Sequence, residues 1–285
     1  MMVSDYRCFF CFARAFEKLL NEGKLTVFEK NSFVRGMAMQ YSTSYCNFSA
    51  PLFSRDLHQF FKIYSRNSDP FVAVKKQSND LVLGMYPSLR KRLQESENPF
   101  ETALRLAIAG NIIDYAVGDH YDLNATIHNV LNSEFAINHS SELRTALTIA
   151  KSVLYLGDNA GEIVFDKLFI ETIMHSNLIY VVRGTPIIND ATMDDARYVG
   201  MDRVADVISN GYDAPSTIID KCSEEFQKHF NDADVIISKG QGNLEGLLHK
   251  THKTVFFLLM VKCDVIAEAL GVKKGDFVVM KNIQK

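Results

Sequence analysis

Three polar segments of this 285-residue chain each follow directly on a run of apolar residues: LGDNAGE (156–162), RGTPIINDATMDDA (183–196) and SKGQGNLEG (238–246). In the first, Asp158 and Asn159 offer a carboxylate and an amide oxygen side by side, the hard donors that Mg²⁺ and Mn²⁺ prefer. Gly161 and Glu162 then open a helix, whose free N–H groups favour an anion such as phosphate. The same residues suit a plain helix cap, so this loop alone carries both readings. In the second segment, Asp190 stands where it could join Asp158 around one ion, or cap the helix beginning at Ala191. Asp194 and Asp195 read as first-turn acids favoured by the helix dipole, and Arg183 suits either a phosphate or a neighbouring carboxylate. In the third, Lys239 can neutralise a phosphoryl oxygen while Gln241 or Asn243 donates hydrogen bonds, and the glycines let the backbone approach a ligand. Two acids, an amide and a lysine at three segment ends match phosphoryl chemistry, which rests on positioning and charge neutralisation.

Those segments work together only if a sheet brings them to one edge. Apolar runs at 152–158, 177–184, 203–210, 233–240, 254–261 and 276–280 read as strands, interleaved with helices over 161–175 and 191–199. Continuous apolar strands alternating with helices predict a doubly wound, mostly parallel, Rossmann-like α/β domain over residues 151–285. Ligands bind such sheets beyond the carboxyl ends of the strands, where the three polar segments fall. Residues 1–150 instead repeat apolar residues at helical spacing, over 7–20, 55–64, 70–86, 100–117 and 141–151, with Pro51, Pro70, Pro87 and Pro99 between the pieces. An all-helical N-terminal domain packed on the sheet is expected. Within AIAGNIIDYAV (107–117), Asn111 and Asp114 share a helix face, as a satisfied polar pair or as a wall of the substrate pocket.

Composition narrows the partners. Lys plus Arg total 31 against 34 Asp plus Glu, a net charge of −3 that gives nucleic acid no reason to bind. No apolar run reaches the roughly 18 residues of a membrane span. Five scattered cysteines point to reduced thiols in a cytoplasmic protein. The Cys8/Cys11 pair sits beside Phe9, Phe10 and Phe12 with no second pair to complete a zinc site, so a buried structural role is expected. There is no GxxxxGK[ST] loop, no GxGxxG after the first strand and no GxSxG elbow, which argues against an ATPase, a dinucleotide oxidoreductase and an α/β hydrolase.

The motifs LGDNAGEIVFDK, RGTPIINDATMDDA, ISNGYDAPST and ISKGQGNLEGL, with the CxxC helix, DPFVAVKKQSN and AIAGNIIDYAV, closely resemble the damage-control phosphatases, the family long filed as domain of unknown function 89. The resemblance covers essentially the whole chain, in the stand-alone prokaryotic-type branch. It implies a helical region on a Rossmann-like domain, a divalent metal (Mg²⁺, Mn²⁺, Co²⁺ or Ni²⁺) on Asp158, Asn159 and Asp190, and a phosphate-contacting lysine at Lys239. Asn111 and Asp114 match its GNxxD segment. Leu244 stands where an aromatic is commoner, and Tyr212 where smaller or polar residues are usual. The implied activity is hydrolysis of phosphate monoesters of sugars or damaged metabolites, with metal-bound water as nucleophile and direct attack by Asp158 as the variant. An S-adenosylmethionine-dependent methyltransferase and a non-catalytic metabolite-binding protein are the competing classes; the first lacks its Gly-rich loop.

Overall fold

The computed structural model describes residues 5–44, 48–110 and 123–282. Helices α1 (Tyr6–Glu22), α2 (Val27–Ser44), α3 (Ala50–Ser65), α4 (Val72–Gln94), α5 (Pro99–Ala109) and α6 (Leu123–Asn132) precede strand β1 (Phe135–Asn138) and helix α7 (Ser140–Ile149). Strands and helices then alternate: β2 (Val153–Leu156), α8 (Glu162–Ile173), β3 (Leu178–Val182), α9 (Met193–Val199), β4 (Asp206–Ser209), α10 (Glu224–Asp232), β5 (Val235–Lys239), α11 (Gly240–Leu247), β6 (Val255–Met260), α12 (Asp264–Leu270) and β7 (Phe277–Lys281).

The seven strands form one sheet in the order β1-β7-β6-β5-β2-β3-β4, parallel throughout except where β7 runs against β6. Every residue of β2 and β5 is buried, which explains why both read as unbroken apolar runs. Side chains alternate between two cores. Val153 and Tyr155 face α4, α5, α8 and α9, while Leu154 and Leu156 face α10, α11 and α12. Register sets the site: Leu156 lies level with Val181 and with Ser238, so the tips of β2, β3 and β5 end at one height. The chain order reverses between β2 and β5, the position where open α/β sheets bind ligands.

Two expectations for the first half need correction. It is not all-helical, because Phe135–Asn138 adds a strand at the sheet edge beside β7. Four residues are too few for periodicity to declare a strand. Nor does Pro87 separate helices; it lies inside α4. Pro51 and Pro99 do occupy first turns, where the missing N–H costs nothing. The core also crosses residue 150, since Val82, Leu89 and Leu104 share one cluster with Val153, Tyr155 and Phe169.

Helices α1, α2 and α3 build their own aromatic cluster around Phe16, Phe33, Phe53, Leu57 and Phe61. His58 is buried in it, 4.7 Å from the Phe16 ring and 5.9 Å from Phe71. Burial, helped by the nearby Lys62 charge, pushes its pKa down from 6.5 to about 3. Among the described residues no helix is long and apolar enough to cross a membrane.

Below pH 6.5 the unfolded chain takes up a proton that native His58 refuses until about pH 3, so stability falls as pH drops through that window. The expected loss is on the order of 2 kcal/mol by pH 5. His58→Phe should flatten the fall of melting temperature between pH 7 and 5; an unchanged slope in that variant would remove the explanation.

Candidate active site

Beyond the tip of β2, Gly157 passes so close to Tyr180 that a Cβ would lie 2.3 Å from its hydroxyl oxygen. Asp158 and Asn159 follow, 8% and 5% exposed, and Asp190 arrives from the loop after β3 at 3% exposure. Main-chain bonds lock the two loops: Ala191 N–H donates to Asp158 O and Ala160 N–H to Asn189 O, each at 2.8 Å, forming an isolated bridge between Asn159 and Asp190. Ile188 holds a φ of +45° beside this bridge, a strained setting for a β-branched residue.

Arg183 spans the two carboxylates. Its Nε donates to Asp190 Oδ2 at 2.6 Å and its Nη2 reaches Asp158 Oδ1 at 3.5 Å. The alternative left open by sequence is thus settled for the carboxylates, with Thr217 Oγ1 accepting from Nη1 at 3.4 Å. Burial, then the negative charges of Asp190 and Glu162, push the Asp158 pKa well above the usual carboxylate range, against the pull of Arg183 and Lys262. Gly240 completes the cradle. Its φ is +78°, and a Cβ there would sit 1.9 Å from Asp158 Oδ2.

The donor set of Asp158, Asn159 and Asp190 suits a hard divalent cation. Among the described residues no three His, Cys, Asp or Glu side chains are grouped to hold a metal. The set here has two carboxylates, and its third donor is the amide of Asn159. Around this donor set the buried Arg183 pairs with Asp158 and Asp190, and the buried Lys239 with Glu162 and Asp166.

Lys239 lies beneath this layer, with no exposure. Its Nζ donates to Ala107 O at 2.8 Å, to Asp166 Oδ1 at 2.6 Å and to Glu162 Oε1. All three N–H donors of the ammonium are committed. The expectation of an ammonium open to a phosphoryl oxygen is corrected accordingly: Lys239 is a wall of the site. Burial alone would strip its charge, but Asp166 and Glu162 outweigh that and raise its pKa. Asp166 also accepts from Tyr155 Oη at 2.7 Å and Tyr180 Oη at 2.9 Å.

Other expected substrate groups are likewise engaged. Gly161 N–H donates to Asn79 Oδ1 at 2.7 Å, so it does not face an anion. Asn243, fully buried, donates to Gly157 O at 3.1 Å and Lys239 O at 2.8 Å while accepting from Thr217 Oγ1, which makes it a staple between loops. Glu162 sits against Lys239. Asn111 and Asp114 lie outside the described residues.

A cavity of about 600 Å³ lies beside the start of α11, lined by Gln241, Gly242, Lys262, Ser54, Cys8 and Cys11 among others; Asp158, Asn159 and Asp190 are not in its lining. The Cys pair is therefore not buried: Cys8 is half-buried and Cys11 exposed. The packed stripe of α1 runs instead through Phe9, Phe12, Phe16 and Leu20. Lys262, missed in the sequence, lines the cavity and is one of the charges acting on Asp158. Its signal was its place directly after the apolar run TVFFLLMV, at another strand tip. Helix α3 roofs the loops, Arg55 Nε donating to Asp213 Oδ1 at 2.6 Å with its guanidinium 5.1 Å from the Tyr212 ring centre.

Comparison with known proteins places this geometry. Residues 4–278 match the profile of the damage-control phosphatase ARMT1-like domain. A Pyrococcus horikoshii protein named damage-control phosphatase is 33% identical over 287 residues, 99% of each chain. One of the same name from Archaeoglobus fulgidus is 37% identical over 217 residues, 74% of this chain and 75% of the relative. The crystal structure of a DUF89 family protein from Pyrococcus horikoshii superposes with a TM-score of 0.87 at 30% identity, over 98% of this chain and 99% of that one. With the profile match, the identity over the length of the chain and the fold in agreement, this chain belongs to the damage-control phosphatase ARMT1-like family.

Proposed function

We propose that this chain is a metal-dependent phosphatase that hydrolyses phosphate monoesters of small metabolites, sugar phosphates or damaged phosphometabolites. The observation that carries the reading is the convergence of Asp158, Asn159 and Asp190 at the β2/β5 switch point. The naming of relatives as damage-control phosphatases supports the reaction class.

Asp158, Asn159 and Asp190 would hold the ion, Mg²⁺, Mn²⁺, Co²⁺ or Ni²⁺. When bound, it supplies charge neutralisation at phosphoryl oxygens and makes the attacking water more acidic. The protein's own groups do the rest. Arg183 fixes both carboxylates in one orientation and limits their mutual repulsion. Of the cations lining the cavity, Lys262 is the one whose charge acts on Asp158, and it would draw in and hold the phosphoryl group, the role that sequence had given to Lys239. Lys239 holds Glu162 and Asp166 and so sets the floor of the site. The neighbouring cavity of about 600 Å³ is of the size that small-molecule ligands occupy. Water is the nucleophile in this reading, because Asp158 is held between Arg183 and Asn159 Nδ2 at 3.2 Å in the posture of a ligand.

Asp158→Ala should abolish chelator-sensitive hydrolysis of p-nitrophenyl phosphate in Mn²⁺; undiminished turnover would refute the reading. Lys262→Ala should lower kcat/KM about 10–100-fold, chiefly through KM, while Mn²⁺ still binds. An unaltered KM would return the phosphate contact to another residue. Lys239→Met leaves Glu162 and Asp166 buried without their cation and should cost about 3–5 kcal/mol in urea denaturation. Wild-type stability in that variant would contradict the assignment of Lys239 to the floor.

A further inference from the structure

The two loops that carry the donors are joined a second time, from behind, by side chains far away in sequence. Asn79 of α4 is 1% exposed. Its Oδ1 accepts from Gly161 N–H at 2.7 Å, two residues past Asn159. Its Nδ2 donates to Asp195 Oδ1 at 3.1 Å. Asp195 Oδ2 in turn accepts from Thr192 N–H at 2.9 Å and Thr192 Oγ1 at 2.8 Å, two residues past Asp190. Lys75 Nζ, 4% exposed, donates to the same Asp195 oxygen at 3.1 Å and pairs with Asp69 at 3.1 Å. An unbroken polar chain therefore runs Gly161, Asn79, Asp195, Thr192.

We infer that Asn79 and Asp195 are positioning residues that set the spacing of the Asp158/Asn159 loop from the Asp190 loop, and with it the affinity for the divalent ion. Two main-chain bonds and Arg183 already join the loops at the donor residues themselves. The Asn79–Asp195 pair adds an attachment two residues further along each loop, which fixes the angle between them as well as their separation. Each atom has one chemical role available to it. Gly161 N–H requires an acceptor, Thr192 requires an acceptor, and only an amide in contact with a carboxylate presents both while donating between them. Asp195 is thus more than a first-turn acid on a helix dipole. The network is buried, so an alternative bond to water is not at hand if it breaks. Outer groups that orient metal ligands in this way are worth about 10–100-fold in affinity when removed.

This rests on the metal-site reading above, and a reciprocal swap separates the two. N79D sets carboxylate against carboxylate; D195N sets amide donor against amide donor. Combined, N79D/D195N restores the hydrogen bonds from Gly161 to Thr192 with the middle bond reversed, and loses only the Lys75–Asp195 ion pair. Mn²⁺ titration followed by electron paramagnetic resonance, with melting temperature recorded in parallel, reads the result. Each single variant should bind Mn²⁺ about 10–100-fold more weakly, and the double variant should recover most of that loss. Asn79→Ala, which removes both bonds without adding charge, gives the same readout if a single swap variant does not fold. Wild-type Mn²⁺ affinity in the single variants, or a double variant as weak as the weaker single, overturns the inference while leaving the site itself standing. A wild-type protein that binds no Mn²⁺ overturns the metal reading and this inference together.

Discussion

One guanidinium held between two buried carboxylates governs the architecture of this protein. Asp158 and Asp190 come from different loops, and burial makes their charges repel strongly. Arg183 offsets part of that repulsion, while burial first and then the charges of Asp190 and Glu162 still hold the Asp158 pKa raised. Everything adjacent follows from the need to hold such a set in place. The loops are locked by main-chain bonds, Gly240 yields space to a carboxylate oxygen, and Gly157 yields space to a tyrosine.

The same constraint explains the charged layer below. A buried salt bridge seldom adds net stability over apolar packing, since desolvation consumes most of the Coulombic gain. Lys239, Glu162 and Asp166 therefore make little sense as glue. They make sense as a rigid floor: Asp166 is saturated by Lys239, Tyr155 and Tyr180, and both phenols are held protonated by burial and by that carboxylate. A floor with every donor used cannot rearrange when a charged ligand arrives above it.

The helical region supplies the opposite wall. Its aromatic cluster is self-contained, yet α3 reaches across to the loops through Arg55 and α1 turns its thiols toward the cavity. Of the two departures from the family pattern, Leu244 is fully buried in the core beneath α10, α11 and α12 and is not among the residues lining the cavity. Tyr212 lies under Arg55, where α3 meets the loop after β4.

Strand runs, the helices between them and the polar tips were legible in the chain itself, because burial on both faces of a parallel strand and a chemical change at its end are local signals. The pairing of Asp158 with Asn159, and the place of Asp190 just before a helix, belong to the same class. What Lys239, Arg183, Gly161 and Asn243 do was not legible. Lys239 finds its partners 73, 77 and 132 residues away, and Gly161 meets Asn79 across 82. A lysine after a strand reads as a phosphate ligand until packing brings two carboxylates to it, and no spacing in the sequence encodes that approach. The order of the polar residues along the chain thus determined which chemistry was possible, while burial and long-range pairing decided which of them face the ligand and which hold the others still.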